Sequence, residues 1–217
     1  MKKKILICGA IIVLIIAVGF AIISGKDSSK EVGQDKKVAL GSEVFITAIE
    51  PYTGSYVEDG SDEFVEEILS ITIENNGSEY IQLMSVTIDE KYVFDITTLL
   101  PGEKITVLEK YRAEYDKRIN SEKISVSNVA FFSEKPSLHK EMLEISGEDN
   151  RLIIKNISGK VFPGGRVFYK NKVNDKYIGG ITYAGTIPKL EKDESVVLNS
   201  NHYLKDSSEF LFVTYAE

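Results

Sequence analysis

The densest concentration of chemistry in this chain is Glu58-Asp59-Gly60-Ser61-Asp62-Glu63-Phe64-Val65-Glu66-Glu67, with six carboxylates in ten residues. A hard cation such as calcium would need about six to eight oxygens converging on one point, and a run like this could supply several. The spacing departs from that of an EF-hand loop, so the bland alternative is a solvated acidic loop. Tyr52, Tyr56 and Phe64 flank the acids, and aromatic rings among polar neighbours are typical of binding loops. Tyr52, Tyr56, Glu58, Asp59, Asp62, Glu63 and Phe64 are therefore the candidate partner-binding residues. They are read as one long connection from Tyr52 to Glu67 that would favour a basic partner. One or more of the aromatics could equally serve the core.

Other clusters point to architecture more than to chemistry. Phe162-Pro163-Gly164-Gly165-Arg166 and Tyr177-Ile178-Gly179-Gly180-Ile181 place paired glycines beside strand-like runs. Paired glycines there suit bulges and close backbone approach, whereas a nucleotide loop needs G-x-G-x-x-G opening a helix. Tyr169, Tyr177 and Tyr183 could line one exposed face or alternate between faces. His139 and His202, the only histidines, lack the convergent partners of a zinc site. No nucleophile elbow or triad context is present. The expectation is a chain without catalysis, metal or cofactor of its own.

The elements that position these residues read as strands. Val44 to Ile49, Leu69 to Ile73, Tyr80 to Ile88, Lys104 to Leu108 and Lys123 to Phe131 alternate apolar and polar residues. Asn75-Asn76-Gly77-Ser78 and Pro101-Gly102-Glu103 punctuate them as turns. Glu109 to Arg118 and Ser137 to Leu143 are the two stretches that could form a short helix. The second half repeats the plan. Leu152 to Asn156 mirrors Leu69 to Asn75, Glu194 matches Glu103, and Ser208 to Val213 lines up with Ser121 to Val126. Extra length in the second copy falls between Tyr169 and Tyr183, where a long hairpin fits. Repeats of this size indicate tandem domains, the bland alternative being chance similarity between two all-β segments. A boundary near Glu134-Lys135-Pro136-Ser137 is expected, where proline and charge break the pattern. Ile71, Ile73, Ile154 and Phe212 are expected to point inward.

Ile71-Thr72-Ile73-Glu74-Asn75-Asn76-Gly77-Ser78, followed by Leu100-Pro101-Gly102-Glu103-Lys104, resembles bacterial immunoglobulin-like surface domains. The second half keeps Asn156 and Glu194 but has no Pro-Gly at the matching turn. The resemblance implies β-sandwiches and supplies no catalytic residues.

At the N-terminus, Met1-Lys2-Lys3-Lys4 precedes an uncharged run from Ile5 to Ser24. Crossing a bilayer takes about 20 apolar residues, and the leading lysines hold the N-terminus in the cytoplasm. A retained anchor is favoured over a cleaved signal, whose apolar core is usually only about 7–15 residues. Cys8, the one cysteine, lacks a lipobox and reads as an apolar helix residue. The chain carries 33 acids against 26 basic residues, and removing Lys2, Lys3 and Lys4 widens that excess outside. That balance argues against nucleic acid as a partner. A cysteine-free exported region rich in Lys, Ile and Asn suits a Gram-positive bacterial envelope.

The expected organisation is all-β: two tandem immunoglobulin-like antiparallel β-sandwiches behind one N-terminal transmembrane helix. Residues 1–4 form a cytoplasmic stub, 5–24 the anchor, 25–37 a tether, 38–135 the first sandwich and 136–217 the second. The expected role is a membrane-anchored extracellular binding or assembly module contacting an envelope protein or cell-wall component. An accessory or sensor subunit modulating a membrane partner is the alternative, and an envelope enzyme is a third class.

Overall fold

The computed structural model describes residues 37–120, 122–174 and 176–215. The expected anchor and nearly all of the expected tether lie outside these residues. Among the described residues no helix is long and apolar enough to cross a membrane. They are all-β, in thirteen strands.

The strands are β1 (Val38–Gly41), β2 (Val44–Tyr56), β3 (Glu63–Asn75), β4 (Ile81–Ile88), β5 (Tyr92–Ile96), β6 (Lys104–Leu108) and β7 (Ile124–Phe131). Then follow β8 (Leu143–Glu148), β9 (Arg151–Asn156), β10 (Gly165–Val173), β11 (Lys176–Ile187), β12 (Ser195–Asn199) and β13 (Ser208–Tyr215). Runs dense in Ile, Val, Phe and Thr are stiff at χ1 and suit a pleated surface. The sequence-expected strands appear, and β10–β11 form the anticipated long hairpin.

The two stretches read as short helices are irregular instead. Glu109 explains the first. Its carboxylate accepts the N–H groups of Tyr111 at 2.7 Å and Ala113 at 2.9 Å, and Arg112 takes a left-handed φ of 59°. The backbone here serves β3: Leu69 N–H donates to Ala113 C=O, and Tyr115 N–H to Glu67 C=O. Tertiary hydrogen bonds outcompete a weak local helix preference. The second stretch, Ser137 to Leu143, makes a turn in which Leu143 N–H donates to His139 C=O.

One strand order occurs twice. In the first half β2-β3-β6 lie side by side, as do β5-β4-β7; in the second half β8-β9-β12 and β11-β10-β13 follow the same sequence. The correspondence extends to single hydrogen bonds. Asn75, fully buried at the end of β3, donates its amide to Glu79 and Leu99 C=O, while Asn156 at the end of β9 donates to Lys160, Leu190 and Glu191 C=O. Asn75 N–H reaches Glu103 C=O as Asn156 N–H reaches Glu194 C=O. Each glutamate then closes its own turn, Glu103 by accepting Leu100 N–H and Glu194 by accepting Glu191 N–H. These asparagines tie off backbone groups that burial would otherwise leave unpaired.

The halves meet edge to edge. β6 pairs in parallel with β11, Tyr177 against Ile105 and Ile178 against Thr106, making a seven-stranded sheet β1-β2-β3-β6-β11-β10-β13. Three-stranded sheets cover its opposite faces. β5-β4-β7 closes a core with Ile71, Ile73, Val86, Phe94 and Ile105, while β12-β9-β8 closes another with Leu152, Ile154, Val167, Tyr169 and Val213. Alternation along β11 gives the two sides: Tyr177 joins the first core, and its neighbour Ile178 packs on the other face. Tyr169 and Tyr177 thus serve different faces, and Tyr183 is half-buried. Ile71, Ile73 and Ile154 are fully buried. Phe212 is also buried but joins neither core; it stacks on Phe168 at 4.4 Å and meets Phe132 edge-on at 5.1 Å.

Candidate functional site

The acidic segment is a tight hairpin tip and not a long loop. β2 continues to Tyr56 and β3 begins at Glu63, so the connection is only Val57 to Asp62. The two strands stay paired down to Tyr56 opposite Glu63, across a register shift between Tyr52 and Gly54, and Tyr56 packs with Val57, Ile68 and Leu108.

Each candidate residue has an internal partner or a defined exposure. Tyr52 donates its hydroxyl to Ser55 C=O at 3.0 Å. Tyr56 is 1 % exposed, with its hydroxyl between Glu109 and Lys110 C=O at 3.0 and 2.7 Å. Burial, reinforced by nearby carboxylates, pushes its pKa up to about 12. The Arg112 guanidinium lies 4.5 Å above the Tyr56 ring and binds Asp59 at 2.7 Å and Glu63 at 2.5 Å. Hydrogen bonds from Ser61, then from Arg112, hold Asp59 below the usual carboxylate range. Asp62 meets His202 Nδ1 at 2.8 Å, and the His202 ring stacks 4.5 Å from Tyr183. Phe64 is 69 % exposed.

Glu58 points the other way. Part of its stem is accessible, but its carboxylate is enclosed at the seam between β6 and β11. It accepts Leu108 N–H at 2.8 Å, Gly180 N–H at 2.9 and 3.0 Å, and Ile181 N–H at 3.2 Å. Burial raises its pKa against the pull of these donors. Behind the same peptide sits Lys170, 1 % exposed, its ammonium donating to the C=O groups of Thr98, Gly179 and Gly180. Burial lowers its pKa to about 8, opposed by the charges of Glu103 and Glu58. The two ions share two consecutive peptide groups, Gly179–Gly180 and Gly180–Ile181, whose N–H groups serve Glu58 and whose C=O groups serve Lys170. A Cβ at Gly180 would lie 1.8 Å from Asp95 C=O, so glycine is required for this approach.

The structure therefore gathers Glu58, Asp59, Asp62 and Glu63 onto one hairpin but sends them to three destinations. Glu58 goes to the β6–β11 seam, Asp59 and Glu63 to Arg112, and Asp62 to the segment before β13. Among the described residues no group of three or more His, Cys, Asp or Glu is arranged to hold a metal. Lys170, Glu109, Arg112 and Tyr111 were not singled out by sequence, whereas Gly180 was, as one of a glycine pair suited to close backbone approach. For Lys170 alternation gave a place on β10 and no sign of burial, since Lys172, in the same phase, is partly exposed. Arg112 carried no signal; only the fold brings it to the hairpin.

Two rings stand free at this tip. Phe64 adjoins Glu63 in the chain, Tyr111 adjoins Arg112, and Tyr111 is 71 % exposed. The Arg112–Glu63 ion pair thus has an exposed aromatic residue next to each partner. Compared with family models, curated proteins and solved structures, the chain gives no match.

Proposed function

We propose that this chain is a membrane-anchored binding or assembly module of a bacterial envelope, carrying two immunoglobulin-like sandwiches outside the cell. The lysine-led apolar run supports the anchoring, and the repeated strand order with facing sheets supports the sandwich reading. The observation that carries the binding role is the braced hairpin tip. Glu58, Asp59, Asp62 and Glu63 fasten it to three other segments, while Phe64 and Tyr111 remain solvent-exposed at 69 % and 71 %. Exposed aromatics on a rigid support give contact area at low entropic cost, which is what a recognition surface needs. The partner is an envelope protein or a cell-wall component.

Crosslinking on intact cells followed by capture of the chain tests this reading. Truncating a central aromatic anchor costs about 2 kcal/mol or more, so Phe64→Ala with Tyr111→Ala should reduce capture of the wild-type partner roughly 30-fold. Stability should hardly change, since both rings are exposed. Equal retrieval by the double variant would remove this surface from consideration. In the same cells, protease added to intact protoplasts should digest the chain; protection would overturn the outward topology.

A further inference from the structure

The three sheets end in six edge strands, and five of them are guarded. An open edge is a template for pairing, which proteins block with charge, shortness, bulges or cover. β1 has four residues. β13 carries Glu209, and its Val213 N–H is bound by Ser137 C=O at 2.8 Å. β8 carries Glu144 and Glu148. β7 is broken by two register shifts and by Asn128 at a φ of 53°. β5 carries Asp95; its Val93 N–H donates to the Glu109 carboxylate and its C=O accepts from Lys110 N–H.

β12 has none of these devices. It reads Ser195-Val196-Val197-Leu198-Asn199, without charge, proline or register shift, and Val197 is 57 % exposed. Its counterpart in the first half is β6, which follows Glu103 as β12 follows Glu194. β6 is not an edge, because β11 pairs along it. Thr106, the position matching Val197, is 6 % exposed. The strand that closes β6 belongs to the long β10–β11 hairpin, which is already committed to β6 within each copy.

We propose that β12 pairs antiparallel with β12 of a second copy of this chain, about a two-fold axis through Val197. The two three-stranded sheets become one of six. This pairing sets Val197 against Val197, Val196 against Leu198 and Ser195 against Asn199. The strand reads alike in both directions in size and polarity, and no like charges meet. β-branched residues opposite one another stabilise a ladder, and a self-complementary patch is what a two-fold dimer requires. The contact is small, so it operates where copies are concentrated. It uses none of the residues of the Phe64–Tyr111 surface and can fail without affecting it.

Disulfide trapping tests it on the full chain in detergent micelles. Cys8 is the only cysteine, so Cys8→Ser gives a thiol-free background. Directly opposed residues in an antiparallel pair have Cα atoms about 4.5–5.5 Å apart, within disulfide reach. Under mild oxidation Val197→Cys should form a covalent homodimer at least about tenfold faster than Val173→Cys, since a docked pair raises the local thiol concentration. Val173 is a fair control, being 55 % exposed on another strand. In the thiol-free background, Val197→Lys should sediment as a lighter species than Val197 at raised concentration, with an unchanged denaturation midpoint. Equal trapping at residues 197 and 173 would overturn the proposal, as would equal sedimentation. So would trapping of Val197→Cys, in cell membranes, to a different protein in place of itself.

Discussion

Replacing Glu58 with alanine is expected to cost about 3–5 kcal/mol of folding stability, the usual result of removing one partner from a buried charge cluster. The change would strand the N–H groups of Leu108, Gly180 and Ile181 and leave Lys170 with Glu103 as its remaining counter-charge. Chemical denaturation of the fragment 38–217 reads the effect. Asp59→Ala on the same hairpin should cost no more than about 1 kcal/mol, because its ion pair is exposed. A midpoint for Glu58→Ala equal to that for Asp59→Ala would mean that Glu58 does not fasten the seam.

The same cluster sets a pH dependence with a definite sign. Burial holds the Lys170 pKa at about 8, below that of a lysine in the unfolded chain. Above about 8 the unfolded chain therefore binds more protons, and the contribution of Lys170 to stability rises with pH. Lys170→Met should remove that rise when compared with wild type from neutral to alkaline pH. Glu58 behaves in the complementary way. Its raised pKa means the folded chain binds the proton more tightly, so its contribution does not fall as pH drops through that value. Mild acid is not expected to release the hairpin.

Truncating Ile73 or Ile154 to alanine is expected to cost about 2–5 kcal/mol each, from lost transfer energy and the cavity left behind. Both side chains are fully buried, Ile73 beneath the β5-β4-β7 sheet and Ile154 beneath β10 and β11. They lie in separate cores, so the double variant should lose the sum to within about 0.5 kcal/mol. One sheet runs through both halves, and unfolding should accordingly be a single transition. Unchanged midpoints for both single variants would mean the strand phase is misassigned, and two separated transitions would mean the halves unfold independently.

Local pattern carried much of the fold. Alternation in Leu69 to Ile73 and Leu152 to Asn156 put Ile71, Ile73 and Ile154 inward, because side chains on a strand switch faces at every residue. Asn75 with Glu103 and Asn156 with Glu194 marked matching turns, because a buried backbone carbonyl needs a donor that a short amide side chain can supply. The acidic hairpin shows where such reading stops. Period and charge placed Glu58, Asp59, Asp62 and Glu63 together but could not say that Glu58 turns inward. That depends on three N–H groups brought by β6 and β11 from positions 50 to 123 residues away. Likewise, alternation could make Lys170 a strand residue, but only the parallel pairing of β6 with β11 buries it. By itself the sequence determined the strands, their inward faces and the duplicated turns, all of which depend on neighbours a few residues apart. The tertiary structure alone decided that the two halves share one sheet and that an acidic tip became its brace, because the hydrogen-bond partners concerned lie in different halves of the chain.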